Sequence, residues 1–232
     1  MHEYFTFVDF VRDSKLMEYG MAFVFIGLFA VFYKILQQPE THAAPAVSVV
    51  GKAVERIRGL LAPEGFAYHL GHAWAKIESP NLAAVGIDDF AAKLIGAVEK
   101  VALPEVGSLV RQGERAWTLY AGGKSIAMLS PVDGKVTAIN PAAAAALADD
   151  PYGKGWLFKV ESPKLGANLK SLLTGALAKA WTEQAIDALY SRAGGQLGMV
   201  AADGGSPVSG MAKNIDPAHW DEIARDFFLT NE

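Results

Sequence analysis

The sequence contains no cysteine. That removes disulfides, thiolate metal sites, cysteine-ligated iron–sulfur clusters and covalent c-type haem from the chain. It leaves the compartment open, because a chain without cysteine suits either redox environment. No block of lysine and arginine stands out, and the formal net charge is −4, so there is no electrostatic footprint for a nucleic-acid partner. Charged residues are 20% of the 232 positions, against 51% hydrophobic. This balance excludes wholesale disorder, and the length allows one or two domains with a buried core. Histidine is scarce as well, limited to His2, His42, His69, His72 and His219. His69 and His72 precede an expected strand, where a spacing of three does not converge on a metal as it can on a helix; no metal site is predicted. Gly122-Gly123-Lys124 lacks the spacing of a phosphate loop, and no nucleophile–base–acid set can be located. The residues therefore predict a protein that is not an enzyme.

What the sequence does have is one long apolar run. "YGMAFVFIGLFAVFYKIL", residues 19–36, carries a single charge at Lys34. At helical rise it spans about 27 Å, near the hydrocarbon thickness of a bilayer, with Tyr19 and Tyr33 where interfacial aromatics are expected. The preceding segment, residues 1–16, mixes acids with bases, and no small-residue cleavage site follows the run, unlike a signal peptide. The expectation is an uncleaved transmembrane helix over residues 17–38, meeting the lipid bilayer through residues 19–36 and giving a single-pass membrane localisation. Arg12 and Lys15 precede it, while Lys34, Lys52, Arg56 and Arg58 follow, which places the remainder on the cytoplasmic side. Residues 39–63 read as a linker and a short helix, with Val50, Val54, Ile57 and Leu61 at helical spacing.

From Phe66 the period changes. "HAWAKIE" alternates and "NLAAVGI" is a second short run, so both predict strands. "DDFAAKLIGAVEKV" opens on Asp88 and Asp89 as cap candidates and predicts a helix. Gly107 and Gly113 mark turns between short strands. "LYAGGKSIAML" predicts two strands around a glycine turn with Lys124 at its tip, and "SPVDGKVTAI" repeats the strand–turn–strand pattern. Asp149 and Asp150, next to Pro151, read as turn residues.

These segments carry a resemblance. His72-Ala73-Trp74, "VGIDDFAAKLIGAVEKVALPEVGSLVRQGE", "SPVDGKVTAIN" and "DPYGKGWLFKVESP" are similar, in order, to the glycine cleavage system H proteins. The similarity runs over residues 64–163. It implies a lipoyl-type domain, so the whole is expected to be α+β: a transmembrane helix, then a flattened β-barrel of two small antiparallel sheets with flanking helices. In that family a lysine on a hairpin carries lipoate, on which an aminomethyl group is ferried between enzymes. At the place that matches, counted from Pro131, this chain has Gly123; Lys124 stands one position later, and Tyr120-Ala121 replaces the usual Glu-Ser pair. A slip of one residue turns a side chain to the other face of a hairpin.

Residues 164–195 predict a long amphipathic helix or a broken pair, ended by Gly194-Gly195. Residues 196–215 are rich in glycine and serine and predict a flexible segment. Residues 216–232 predict an amphipathic helix with Asp216 as cap and Pro217 in its first turn. Trp220, Ile223, Phe227 and Phe228 line one side of it, to grip a partner or to fold back onto the barrel. Two functions remain open. The first is a cofactor-free accessory scaffold in a membrane complex of respiratory or electron-transfer type, docking other subunits of that complex through the barrel and the terminal helix. The alternative is a tethered carrier with lipoate on Lys124.

Overall fold

Short alternating runs punctuated by glycine build most of this molecule. The computed structural model describes residues 7–36, 56–194 and 207–231. The chain forms two units, Met1–Lys52 and Ala53–Glu232. The described part of the first unit is a single helix, α1 (Phe7–Leu36).

α1 corrects the expectation of a membrane anchor. No helix among the described residues is long and apolar enough to cross a membrane. The apolar run is the second part of a longer helix whose first twelve positions include Asp9, Arg12, Asp13, Lys15 and Glu18. The transmembrane helix over 17–38, the bilayer contact through 19–36, the single-pass localisation and the cytoplasmic side assigned from it are withdrawn together. Of the linker and short helix at 39–63, residues 39–55 lie outside the described residues. Residues 56–61 are a tiny hairpin, β1 (Arg56–Ile57) and β2 (Leu60–Leu61), turned by Arg58 and Gly59. Both turn residues have positive φ, 47° and 88°, which no helix accommodates.

The rest of the second unit follows in order. β3 (Ala67–Tyr68), β4 (Ala73–Ser79) and β5 (Leu82–Ile87) lead into α2 (Asp89–Ile95). Then come β6 (Lys100–Ala102), β7 (Leu109–Val110), β8 (Arg115–Ala121), β9 (Lys124–Leu129) and β10 (Gly134–Ile139). α3 (Ala143–Ala146), β11 (Phe158–Glu161), α4 (Leu165–Leu169), α5 (Gly175–Arg192), α6 (Met211–Ile215) and α7 (Trp220–Phe228) complete it. One sheet has the order β3-β4-β5-β11-β10-β7 and another β6-β8-β9; every pairing within them is antiparallel. This is the pair of small sheets that the resemblance implied.

Between the sheets lies the core. Ile87, Leu119, Ile126, Met128, Phe158 and Phe90 are fully buried. Trp74 is buried too, its indole N–H donating to the Ile87 carbonyl at 2.7 Å. Its ring lies on Gly86: a β-carbon there would sit 2.3 Å from the indole, so only glycine lets β5 pass. α2 is capped by Asp88, whose carboxylate accepts from the Ala91 N–H at 2.8 Å. α2 stops at Gly96, φ +80°, short of the expected helix, because residues 100–102 are taken up by pairing with β8. Among the described residues, α4 and α5 form the broken pair rather than one long helix. The break falls where Leu173 exchanges two 2.8 Å backbone hydrogen bonds with Tyr68.

Candidate functional site

The lysine-bearing hairpin is built from β8 and β9. Ala121 pairs with Lys124 across Gly122 and Gly123, whose φ values are 55° and 72°. Two consecutive positive φ values define the tight two-residue turn that matches strand twist, and glycine adopts them without cost. Glu99 pins the turn by accepting the Gly122 N–H at 2.8 Å. Trp117, Leu119 and Ala121 face the core on β8, and Ile126 and Met128 on β9. By the two-residue period Lys124 shares that inward side and stands at its rim. Gly123, by contrast, occupies the apex, where an added β-carbon would meet open space. The one-residue slip therefore has a visible consequence: the lysine leans toward the domain rather than away from it.

There it meets α7 and the turn before it. The Lys124 ammonium donates to the Asp221 carboxylate and to the Ala218 carbonyl. It also lies 5.9 Å from the centroid of the Trp220 ring. Asp221 is held from its own helix by Arg225 at 3.0 Å. Burial alone would raise the Asp221 carboxyl, but the bond from Lys124 and the charges of Lys124 and Arg225 outweigh it and hold the group below the usual carboxylate range. The Lys124 side chain is 32% exposed and that of Asp221 13%. Asp216 fixes the approach by accepting from the N–H groups of Ala218 at 2.9 Å and His219 at 3.0 Å. Asp216 thus caps the turn that aims the Ala218 carbonyl at the lysine.

The four apolar residues of the terminal helix lie within this domain. Trp220, Ile223 and Phe228 are buried in the main core, and Phe227 packs 5.1 Å from the Phe90 ring. The fold-back arrangement occupies the face that a partner would otherwise grip. Of the glycine-rich segment 196–215, residues 196–206 lie outside the described residues. The remainder is not irregular, because Met211 and Ala212 are buried and anchor α6.

A second polar cluster sits inside the domain. Asp88 accepts from His72 Nδ1 at 2.7 Å, with both side chains almost fully buried. His72 has φ +61° and is stacked between Phe90 and Trp181, 4.3 and 4.4 Å from their centroids. This pair locks β4 to the start of α2. Among the described residues no group of three or more His, Asp or Glu side chains converges on a metal-sized site. Sequence reasoning missed Asp221 and Ala218, which lie 97 and 94 positions from Lys124. The available signal was an acid on the polar side of an otherwise apolar helix, with nothing to say what it faces.

Two antiparallel sheets around one core, with a lysine beside a glycine-turned hairpin, are the layout of a lipoyl-type domain. A model of the family described as "Glycine cleavage H-protein" matches residues 66–185, half of the chain, and the chain belongs to that family. The glycine cleavage system H protein of Thermobifida fusca is 40% identical over 110 residues, covering 46% of this chain and 86% of that protein. A probable glycine cleavage system H protein 2 from Sulfurisphaera tokodaii is 36% identical over 124 residues, covering 50% and 82%. A crystal structure of such a protein from Mycobacterium marinum is 28% identical, covers 53% of this chain and 98% of that one, and superposes with a TM-score of 0.44. Membership overturns two expectations. The scaffold of a respiratory or electron-transfer membrane complex gives way to the carrier reading, since the relatives are H proteins. The absence of a cofactor is set aside as well, because the family's working group is lipoate on a lysine.

Proposed function

We propose that this chain is a lipoyl-bearing carrier of the H-protein type, with Lys124 as the attachment residue. The observation that carries the reading is the position of Lys124. It is the lysine of the β8–β9 hairpin in a chain of this family, and it directly follows Gly123, around which an added β-carbon would meet open space. Its primary amine suits an amide link, and its partial exposure suits access from one side.

Attachment is an acyl transfer. The ammonium gives up a proton, and the neutral amine attacks the carbonyl carbon of an activated lipoyl donor, a mixed carboxylic–phosphoric anhydride. The carbon–oxygen bond to phosphorus breaks, the phosphate ester leaves as an anion, and a second proton leaves nitrogen as the amide forms. Once bound, the group would supply an exchangeable sulfur pair on a long arm. The protein's own part is positional: Glu99 and the two glycines fix the turn, and the core-facing residues of β8 and β9 make the hairpin rigid. On this reading the chain carries a group and does not itself transform substrate, and its protein partners are enzymes of a glycine cleavage system.

The test is intact mass of the full chain after co-expression with a lipoate-attaching enzyme. One lipoyl increment, mapped to Lys124 by peptide fragmentation and absent from Lys124→Arg, is expected. An unmodified chain under conditions that modify a control H protein would overturn the reading.

A further inference from the structure

The residues that surround the Lys124 amine come from a part of the chain that the family match, 66–185, does not include. Ala218, Trp220 and Asp221 belong to the turn and helix at 216–228. We propose that this segment is a clasp that withholds the Lys124 amine from acyl transfer, so that attachment requires residues 216–221 to move aside. The inference rests on the carrier reading and adds regulation to the same site.

Three contacts carry it. Asp221 and Ala218 take up two of the three ammonium hydrogens, and the Trp220 face lies over the charge. Together they engage the nitrogen's hydrogens and cover one side of it, so an acyl donor reaches the nitrogen only after they part. The clasp is also held independently of the lysine. Asp216 fixes the turn through two N–H groups, Arg225 steadies Asp221, and the buried Trp220 ring anchors the start of the helix. Lys213 adds a second cation 4.6 Å from the other contact's ring, and its Nζ would lie 3.3 Å from a β-carbon at Gly122, so the segment also crowds the hairpin turn. Release can be local, because Lys124 is about one-third exposed and Ala218 lies at the surface, while Ala224 and Phe228 are fully buried.

The experiment labels the full chain with a limiting amine-directed acetylating ester and follows each lysine by peptide mass spectrometry. Exposed Lys170 serves as the internal reference. In the unaltered protein Lys124 should lag Lys170. Asp221→Asn should speed labelling of Lys124 by about fivefold, as expected for losing one partly exposed ion pair, with Lys170 unchanged. Asp216→Ala, which loosens the turn without touching the lysine, should act in the same direction and guards against a variant that fails to fold. Equal rates at Lys124 and Lys170 in the unaltered chain, or no change in either variant, would overturn the clasp. The same proteins are then given to a lipoate-attaching enzyme. Faster attachment in Asp221→Asn supports both readings. Faster chemical labelling with no enzymatic attachment in any form leaves the clasp standing and overturns the carrier.

Discussion

Two aspartates in this domain each hold a basic side chain, in opposite settings. Asp88 holds His72 inside the core, where both side chains are almost fully buried. Asp221 holds Lys124 at the rim of a hairpin, with the lysine about one-third exposed. In the core, water cannot replace a lost partner, and the surrounding rings of Phe90 and Trp181 leave no room for rearrangement. At the rim, water can take over from either acceptor, so the pair adds little to stability and is easily opened. The lesson concerns use. A buried pair fixes geometry, while a partly exposed pair around a nucleophile sets its availability.

The largest expected effect tests the buried side. Asp88→Ala removes the α2 cap and strands His72, and it should lower stability by about 3 kcal/mol, read from urea unfolding. A loss below about 1 kcal/mol would erase the contrast. Asp221→Asn should cost under about 1 kcal/mol by the same measurement, despite its effect on Lys124 labelling. The smallest effect is its pH dependence. The Asp221 carboxyl is held below its ordinary value of 3.8, so its contribution is present above that value and is lost as pH falls through the lower, folded value. The stability difference between the unaltered chain and Asp221→Asn should therefore stay constant from pH 7 to about 5 and vanish in stronger acid, below the ordinary carboxylate range. A difference that fades already near pH 6 would point to a histidine instead.

Much of the barrel was legible because its signals are local. Alternation in "HAWAKIE" and the short apolar run "NLAAVGI" pointed to β4 and β5, and Gly122-Gly123 to the β8–β9 turn. The Asp88 cap was readable from its place before an apolar run. Other readings failed where a distant strand or core competed. Helical spacing at Ile57 and Leu61 gave way to the Arg58-Gly59 turn. The expected helix at 88–101 lost its second half to pairing of β6 with β8. Glycine and serine around 207–215 masked α6, which exists because Met211 and Ala212 are buried. At the site, the lysine and its offset from the matching position were visible in the sequence, and its jailers were not.

The sequence by itself determined the family, the antiparallel strands and the presence of one lysine beside a glycine hairpin, since each depends on residues close together along the chain. Only the tertiary structure decided which way that lysine leans and what holds it. Those depend on the two-residue period of β9 meeting a helix nearly a hundred positions away, a distance across which sequence pattern carries no register.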